Sequence, residues 1–283
     1  MNERPRRSVL YMPGANERAL EKARTLDADA LILDLEDAVA PDAKVEARSR
    51  VAAAVKAGGY GRRELVIRLN GFDTPWGADD MRAAAAAAPD AILVPKVKRG
   101  ADVTRAVKLM AGAPPRTRLW VMMETPLAML KAEEIAGSEA RLSCLVLGTN
   151  DLVKETRASA AGNRFALVPM LSLCVQAARA YGLDVIDGVY NDYRDEAGFR
   201  AECEQGRSLG MDGKTLIHPG QIAVCNEVFS PSLEEAAWSK KIIAAFALPE
   251  NAARGVITLD GKMVERLHLA MALRVVAIAE AIS

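Results

Sequence analysis

Two carboxylates follow apolar runs of the kind that form buried strands. Glu124 lies near the end of "LWVMMET" and Asp151 at the end of "LVLGTND". A carboxylate in such a place costs free energy unless a cation pairs with it. The chain has two histidines and no CxxC pair, so oxygen ligands are the natural donors, and these favour Mg²⁺, with Mn²⁺ as a substitute. The pair predicts a magnesium site, and an ion pair with a basic side chain is the alternative.

More charged side chains interrupt the apolar runs near their carboxyl ends. Glu36 and Asp37 follow "LILDL", Arg68 follows "LVI", Lys96 follows "ILVP" and Asp187 follows "DVI". We assign Arg68 and Asp187 to the catalytic set, and Lys96, Glu36 and Asp37 to substrate contacts. Simpler roles stay open, because Arg68 could neutralise Glu36 or Asp37, Lys96 could make an interior ion pair, and Asp187 could cap the next segment.

Eight short apolar runs, each followed by a helix-type segment, must position these side chains. The runs are Ser8 to Met12, Ala30 to Asp37, Leu65 to Gly71, Ala91 to Val97, Leu119 to Thr125, Leu145 to Asp151, Asp184 to Val189 and Lys214 to Gly220. This alternation predicts an α/β fold with a parallel sheet, and eight units in about 220 residues favour a closed (β/α)8 TIM barrel. The carboxyl ends of barrel strands converge on one face, where active sites lie.

A possible anion site precedes the second strand. In "LYMPGANERALEKA", Asn16 can cap a helix on which Arg18 and Lys22, four residues apart, share one face. A helix start with two cations could hold phosphate, although an ordinary solvated helix face is the alternative.

The composition limits the function classes. The 283 residues contain 37 Lys and Arg against 37 Asp and Glu, so net charge gives no reason to expect a nucleic-acid partner. No apolar run reaches the length of a membrane span or a signal peptide, and we expect a cytoplasmic protein without a membrane partner. The four cysteines are far apart, so we expect neither a disulfide framework nor a thiolate zinc site.

The pattern changes near Cys225. We predict a catalytic barrel over residues 1–225 and a C-terminal helical extension over 226–283, acting as a lid or an oligomer contact. In this extension "GVITLDGKMV" predicts a small turn or hairpin, and the segments on either side predict helices.

Several stretches together resemble one known family. They are "RSVLYMPGANERALEKA", "ALILDLEDAVAPDAKVEAR", "VIRLNG", "ILVPKV", "METP", "GTNDL" and "IHPGQI". In this order, from Arg7 to Gln221, they resemble the citrate lyase β-subunit-like proteins of the HpcH/HpaI aldolase superfamily, which includes malyl-CoA, citramalyl-CoA and β-methylmalyl-CoA lyases.

The resemblance implies a (β/α)8 barrel, bound Mg²⁺ and reversible carbon–carbon cleavage of a 3-hydroxyacyl-CoA thioester to an acyl-CoA and glyoxylate or pyruvate. Glu124 and Asp151 match the metal ligands, and Arg68 matches the arginine that binds the substrate carboxylate and keto oxygen. The loop that faces the α-keto acid matches Gly148, Thr149 and Asn150. The region that holds the coenzyme A phosphates matches Tyr11, Pro13, Asn16, Arg18 and Lys22.

The C-terminal acid departs from the family pattern. Related CoA lyases use an aspartate in a G-x-M-I-D segment, supplied by a neighbouring subunit, to move the substrate proton. The matching stretch here is "GKMVE", which places Glu265 where the aspartate would be, and "RLHLA" after it lacks the usual proline. Glu265 is therefore our catalytic acid, with a helix-terminal charge as the alternative and Asp260 as a weaker candidate. The resemblance also implies a homo-oligomer, a trimer or hexamer, in which this acid reaches a neighbour's pocket.

The favoured function at this point is a Mg²⁺-dependent acyl-CoA lyase acting on malyl-CoA or a methylated relative. Three alternatives stay open: a thioesterase that hydrolyses the same thioesters, a citrate lyase β subunit acting on an acyl-carrier-protein thioester, and a non-catalytic acyl-CoA-binding paralogue.

Overall fold

Eight parallel strands close into a barrel in the computed structural model, which describes residues 4–159 and 161–282. The strands are β1 (Ser8–Pro13), β2 (Ala30–Asp34), β3 (Glu64–Arg68), β4 (Ala91–Val94), β5 (Arg118–Met123), β6 (Leu142–Leu147), β7 (Asp184–Asp187) and β8 (Gly213–Leu216). They pair in sequence order, and β8 closes on β1. The predicted TIM barrel is confirmed.

Helices follow the strands. They are α1 (Glu17–Lys22), α2 (Lys44–Ala57), α3 (Gly77–Ala87), α4 (Gly100–Leu109), α5 (Pro126–Leu130), α6 (Ala132–Ala136), α7 (Thr149–Thr156), α8 (Ala161–Arg164), α9 (Val168–Ala180), α10 (Glu196–Ser208) and α11 (Ile222–Phe229). Short 3₁₀ turns lie at Ala23–Thr25, Pro41–Ala43, Pro219–Gln221 and Pro249–Asn251. No helix in the described ranges combines the length and hydropathy of a membrane span.

One apolar cluster contains residues from seven of the eight strands. Its buried members are Val9, Ala30, Ile32, Val66, Ala91, Leu93, Trp120, Met122, Cys144, Val146 and Ile186. Within β2, β3, β4, β5 and β6 its members recur every second residue or stand alone, as expected for one face of a pleated strand. The next residue on the same face of β3 is Arg68, at the strand's carboxyl end. The interior of the barrel is therefore apolar, and the polar site lies at the carboxyl ends of the strands.

Every strand except β1 ends earlier than its apolar run predicts. The prediction that Asp151 ends a strand is wrong, because β6 stops at Leu147 and Asp151 lies in the first turn of α7. Glu124 likewise follows β5 directly, where Thr125 caps α5 by accepting a hydrogen bond from the Ala128 N–H and Pro126 takes the first helical position. The chain therefore turns immediately after Glu124, which holds this side chain at the rim.

The opposite end of the barrel is closed by ion pairs. Arg6 Nε donates to Glu64 Oε2 at 2.7 Å, and the same guanidinium contacts Asp184 and lies over the Trp120 ring, 4.9 Å from its centroid. Glu64 and Asp184 begin β3 and β7. These charges cross-link the amino ends of two strands, a position associated with stability in this fold.

The internal contacts divide the chain into residues 6–228 and a second unit that contains residues 229–282. The predicted boundary at residue 225 lies inside α11. The second unit contains α12 (Leu233–Ala247), a hairpin of β9 (Val256–Leu259) and β10 (Lys262–Glu265), and α13 (Arg266–Ala281). Its small core comprises Ile242, Phe246, Ile257, Val264 and Ala272.

The small turn or hairpin predicted from "GVITLDGKMV" is present as a hairpin. Leu259 pairs with Lys262, and the two residues between them, Asp260 and Gly261, have φ of +48° and +76°. Positive φ at both turn positions is what a two-residue loop of type I′ requires, and an Asp-Gly pair supplies it at low cost.

Candidate active site

Arg68 is the centre of a buried carboxylate cluster. Its Nε and Nη2 donate to Asp34 Oδ1 and Oδ2 at 2.6 and 2.7 Å, and Nη1 lies 3.0 Å from Glu36 Oε2 and 3.5 Å from Asp37 Oδ2. The bidentate pair follows from register, since Asp34 and Arg68 are partners in the parallel β2–β3 ladder. The guanidinium also lies 4.6 Å from the centroid of the Tyr11 ring. The predicted neighbourhood of Arg68, Glu36 and Asp37 is present in the structure.

Glu36 is an unusual member of this cluster. Burial raises its pKa to about 8 against the opposing charge of Arg68, and the charge of Glu124 adds to the rise. In the described part of the chain its buried Oε2 accepts no hydrogen bond of good geometry, although it is ion-paired with Arg68. A buried carboxyl group with its pKa near working pH is typical of a group that exchanges protons.

The loop that carries Glu36 is held from outside the barrel. Lys44 Nζ on α2 donates to the carbonyl oxygens of Leu35 and Glu36 at 3.0 and 2.9 Å. Asn70 Nδ2 donates to the same Leu35 oxygen at 2.8 Å and to Asp80 Oδ2 on α3 at 2.7 Å. The backbone on both sides of the Glu36 peptide is thereby fixed.

Glu124, Asp151 and Lys96 form the second polar cluster. Glu124 is 1% exposed, and its Oε1 accepts a hydrogen bond from the Lys96 backbone N–H at 2.7 Å. The Lys96 Nζ lies 2.8 Å from Asp151 Oδ1 and 3.5 Å from Glu124 Oε1. The two carboxylates predicted to act together thus both lie close to the same Lys96 ammonium group.

Burial and the neighbouring charges shift the pKa values of both Glu124 and Lys96 in this second cluster. Burial raises the pKa of Glu124 to about 7, while the Lys96 ammonium and N–H oppose the rise and Asp151 adds to it. Burial alone would lower the pKa of Lys96, but its hydrogen bond to Asp151 and the charge of Glu124 outweigh this and raise it. The attraction of Lys96 therefore does not fully offset the cost of burying the ionised Glu124 carboxylate.

Gly148, the N-cap of α7, packs closely against the Glu124 side chain. A side chain added at Gly148 would place its Cβ 2.4 Å from the Glu124 Cβ and 2.7 Å from Oε2, so only glycine fits. Thr149 is buried, and Asn150 is exposed and exchanges hydrogen bonds of 3.1 and 2.8 Å with the Asn191 amide. The structure therefore brings the predicted Gly148–Asn150 loop to the Glu124–Asp151 pair.

These residues fit a Mg²⁺ ion. The donor set is two carboxylates, one of them buried and under-compensated in charge, and Gly148 keeps the space beside Glu124 Oε2 clear of any side chain. In residues 4–159 and 161–282 no group of three or more His, Cys, Asp or Glu side chains is placed to hold a metal. A site with two protein ligands suits Mg²⁺, which usually keeps waters and binds substrate oxygens.

Asp187 lies elsewhere. Its carboxylate is fully buried and accepts from Arg164 Nη1 at 2.7 Å and from Lys214 Nζ at 2.9 Å, and Lys214 also contacts Glu202 on α10. Its neighbour Ile186 joins the barrel interior, so the side chain of Asp187 points to the helix side of β7. This geometry indicates a structural role, where the sequence predicted a catalytic one.

The residues predicted to bind coenzyme A do not form one group. Asn16 caps α1 as predicted, accepting from the Ala19 N–H at 3.0 Å, and Arg18 and Lys22 are exposed on that helix. Pro13 ends β1. Tyr11 instead has its ring under Arg68, with its hydroxyl 3.6 Å from Met122 Sδ.

Glu265 occupies the N-cap of α13. Its N–H donates to His268 Nδ1 at 2.9 Å, which is the contact that the third helical residue makes in a capping box. The helix-terminal role named as the alternative is thus present, and a catalytic role for this acid remains a prediction.

Sequence reasoning places Asp34 and Asn70 at strand ends but assigns no role to the residues that orient the site. Asp34 ends β2 and holds both Arg68 and the loop, because its Oδ1 and Oδ2 accept from the N–H groups of Glu36 and Ala38 at 2.9 and 3.0 Å. A signal was available, since an aspartate that ends an apolar strand opposite an arginine should pair with it. Lys44 carries no comparable signal in the sequence.

The amino-acid sequence is similar to those of known proteins. Residues 7–219 match the HpcH/HpaI aldolase/citrate lyase family. A (3S)-malyl-CoA thioesterase of Cereibacter sphaeroides is 52% identical over 279 residues, which are 99% of this chain and 96% of the relative. An L-malyl-CoA/beta-methylmalyl-CoA lyase of the same species is 33% identical, with 99% and 96% covered.

Among solved structures, the protein CitE of Mycobacterium tuberculosis in complex with magnesium, acetoacetate and coenzyme A superposes with a TM-score of 0.76 at 28% identity. The match covers 98% of each chain.

Proposed function

The chain belongs to the HpcH/HpaI aldolase/citrate lyase family, and on this premise we propose that it is a Mg²⁺-dependent thioesterase that hydrolyses a malyl-CoA-type thioester. One observation carries the choice of reaction: the 52% identity to a malyl-CoA thioesterase, which extends over nearly the whole of both chains. This choice reverses the order in which the sequence ranked hydrolysis and carbon–carbon cleavage. The substrate class is a small CoA thioester that bears a carboxylate.

The two clusters divide the work of such a reaction. Glu124 and Asp151 would hold the metal, which when bound supplies Lewis-acid stabilisation to substrate oxygens. Arg68 is buried and kept charged by Asp34, so its guanidinium is oriented to bind the substrate carboxylate. Tyr11 supports the guanidinium from the ring face.

Glu36 is our candidate for activating water. In hydrolysis, a water oxygen attacks the thioester carbonyl carbon while a base takes one of its protons, then the carbon–sulfur bond breaks and the coenzyme A thiolate leaves and is protonated. Glu36 Oε2 is buried and ion-paired with Arg68 but accepts no hydrogen bond of good geometry in the described chain, and the pKa of Glu36 is raised to about 8. Both properties suit a base that must be free to take a proton near neutral pH.

The products distinguish hydrolysis from the alternatives. Purified protein with Mg²⁺ and malyl-CoA should release free coenzyme A and malate at equal rates, without glyoxylate. Release of glyoxylate with acetyl-CoA would instead support a lyase, which is the second candidate because a malyl-CoA lyase is 33% identical over 99% of this chain. Coenzyme A thioester binding without turnover would contradict both.

A further prediction concerns Glu36→Gln. We expect hydrolysis to fall by about 100- to 10,000-fold, the usual contribution of a general base. The wild-type rate should rise with pH as the Glu36 carboxyl group loses its proton, since its pKa is raised, and this rise should be absent from the variant's residual rate. Steady-state rates from about pH 5.5 to about pH 9 cover the titration of such a base. Glu46→Gln, an exposed change on α2, should keep the wild-type profile, and an unchanged profile in Glu36→Gln would contradict the assignment.

A further inference from the structure

Lys96 stands between the two carboxylates that we assign to the metal. Its ammonium nitrogen is 2.8 Å from Asp151 Oδ1 and 3.5 Å from Glu124 Oε1. A divalent ion that bound both carboxylates would lie about 2.1 Å from an oxygen of each. The ammonium and the ion would therefore occupy overlapping positions, and two cations so close repel each other strongly in a partly buried site.

The backbone of Lys96 is fixed in an unfavourable conformation. Its φ is +56°, in the left-handed region that non-glycine residues seldom adopt. This conformation directs the N–H to Glu124 Oε1, at 2.7 Å. Strain of this kind persists where the surrounding structure demands it and is concentrated at functional sites. The N–H thus orients Glu124 whatever the ammonium contacts.

The side chain, by contrast, is able to leave. It is 30% exposed, whereas Glu124 is 1% exposed. The flexible lysine stem lets Nζ move towards solvent or towards a substrate carboxylate without moving the backbone. An ion that enters from solvent can therefore displace the ammonium.

From these contacts we infer that the Lys96 ammonium competes with the divalent cation for the Glu124–Asp151 carboxylate pair, and so weakens metal binding. This inference rests on the metal site of the proposed function but not on the reaction. It gives the Lys96 side chain a role in setting the metal affinity, in addition to the substrate contact expected from the sequence.

Metal affinity without substrate tests this inference. Titration calorimetry with Mg²⁺, repeated with Mn²⁺ by electron paramagnetic resonance, should show that Lys96→Met binds about tenfold or more tightly than wild type, because a competing charge has been removed. Lys96→Arg keeps the charge and should bind close to wild type or more weakly. Lys98→Met removes an exposed charge from a neighbouring position in the same loop and should leave the affinity unchanged.

Unchanged or weaker binding by Lys96→Met would overturn the inference, as would equal tightening by Lys98→Met, which would show a general charge effect. Because no thioester is present, the result is independent of whether the protein hydrolyses or cleaves its substrate. Circular dichroism of each variant establishes that the fold is retained.

Discussion

Glu124→Gln should abolish measurable Mg²⁺ binding and with it metal-dependent turnover. The amide has the same shape but lacks the charge, and Glu124 is the buried member of the carboxylate pair. Loss of a residue that merely supports a metal ligand lowers affinity by about 10- to 100-fold, so loss of a ligand should exceed that range. Titration calorimetry and the thioester assay measure the two effects separately.

The fold should survive this change, since the amide oxygen of the substituted side chain could still accept the hydrogen bond of the Lys96 N–H. Glu155→Gln is the matched control, because Glu155 is exposed on α7, the helix that carries Asp151. Wild-type affinity in Glu124→Gln would disprove the assignment of this residue as a ligand. The opposite expectation for Lys96→Met makes the pair of variants diagnostic, since general damage to the site would weaken binding in both.

Asp187→Asn should lower the free energy of unfolding by about 3–5 kcal/mol, the usual result of removing one partner from a buried ionic group. The change removes the buried negative charge between Arg164 and Lys214, whose side chains are 3% or less exposed. Their remaining carboxylate partner is Glu202, 3.5 Å from Arg164 Nη1 and 2.6 Å from Lys214 Nζ. Urea denaturation gives the value. Asp192→Asn, an exposed change in the loop after β7, should stay within about 0.5 kcal/mol of wild type.

The destabilisation should depend on pH. Burial would raise the pKa of Asp187, but Lys214 and Arg164 more than offset this and lower it. A carboxyl group whose folded pKa is depressed stabilises the protein above its unfolded pKa, about 4, and loses this contribution as pH falls through the folded value. The difference in the free energy of unfolding between wild type and Asp187→Asn should therefore become smaller at acidic pH. Unchanged stability at neutral pH together with lost activity would restore the catalytic assignment of Asp187.

Much of the fold was accessible from the sequence because its signals are local. The alternation of apolar runs and helix formers predicts the barrel, and Glu124 stands out since it closes a run with no other charge. The position of Asp151 was harder to predict, because Gly148 offers no side-chain cap to mark the start of α7. The run then reads as a strand that continues through the turn.

The rest of the site depends on long-range geometry. No local sequence pattern predicts that Lys96 adopts a left-handed backbone conformation. The hydrogen bond from its N–H to Glu124 was therefore not predictable from the sequence. Arg164 lies far along the chain from Lys214, and only the tertiary fold brings them both to Asp187. The strand period does predict the opposite faces of Ile186 and Asp187, and a stricter use of it would have excluded Asp187 from the pocket.

The anchoring of the Glu36 loop by Lys44 and Asn70 has a consequence for how activity can change during evolution. The position of the proposed base is set by α2 and α3, whose residues Lys44 and Asp80 never need to touch a substrate. Selection for a new acyl chain can therefore act on the outer helices and shift the loop by small steps, while the metal ligands stay constant. Libraries for directed evolution should include the positions next to Lys44 and Asp80 as well as the pocket itself.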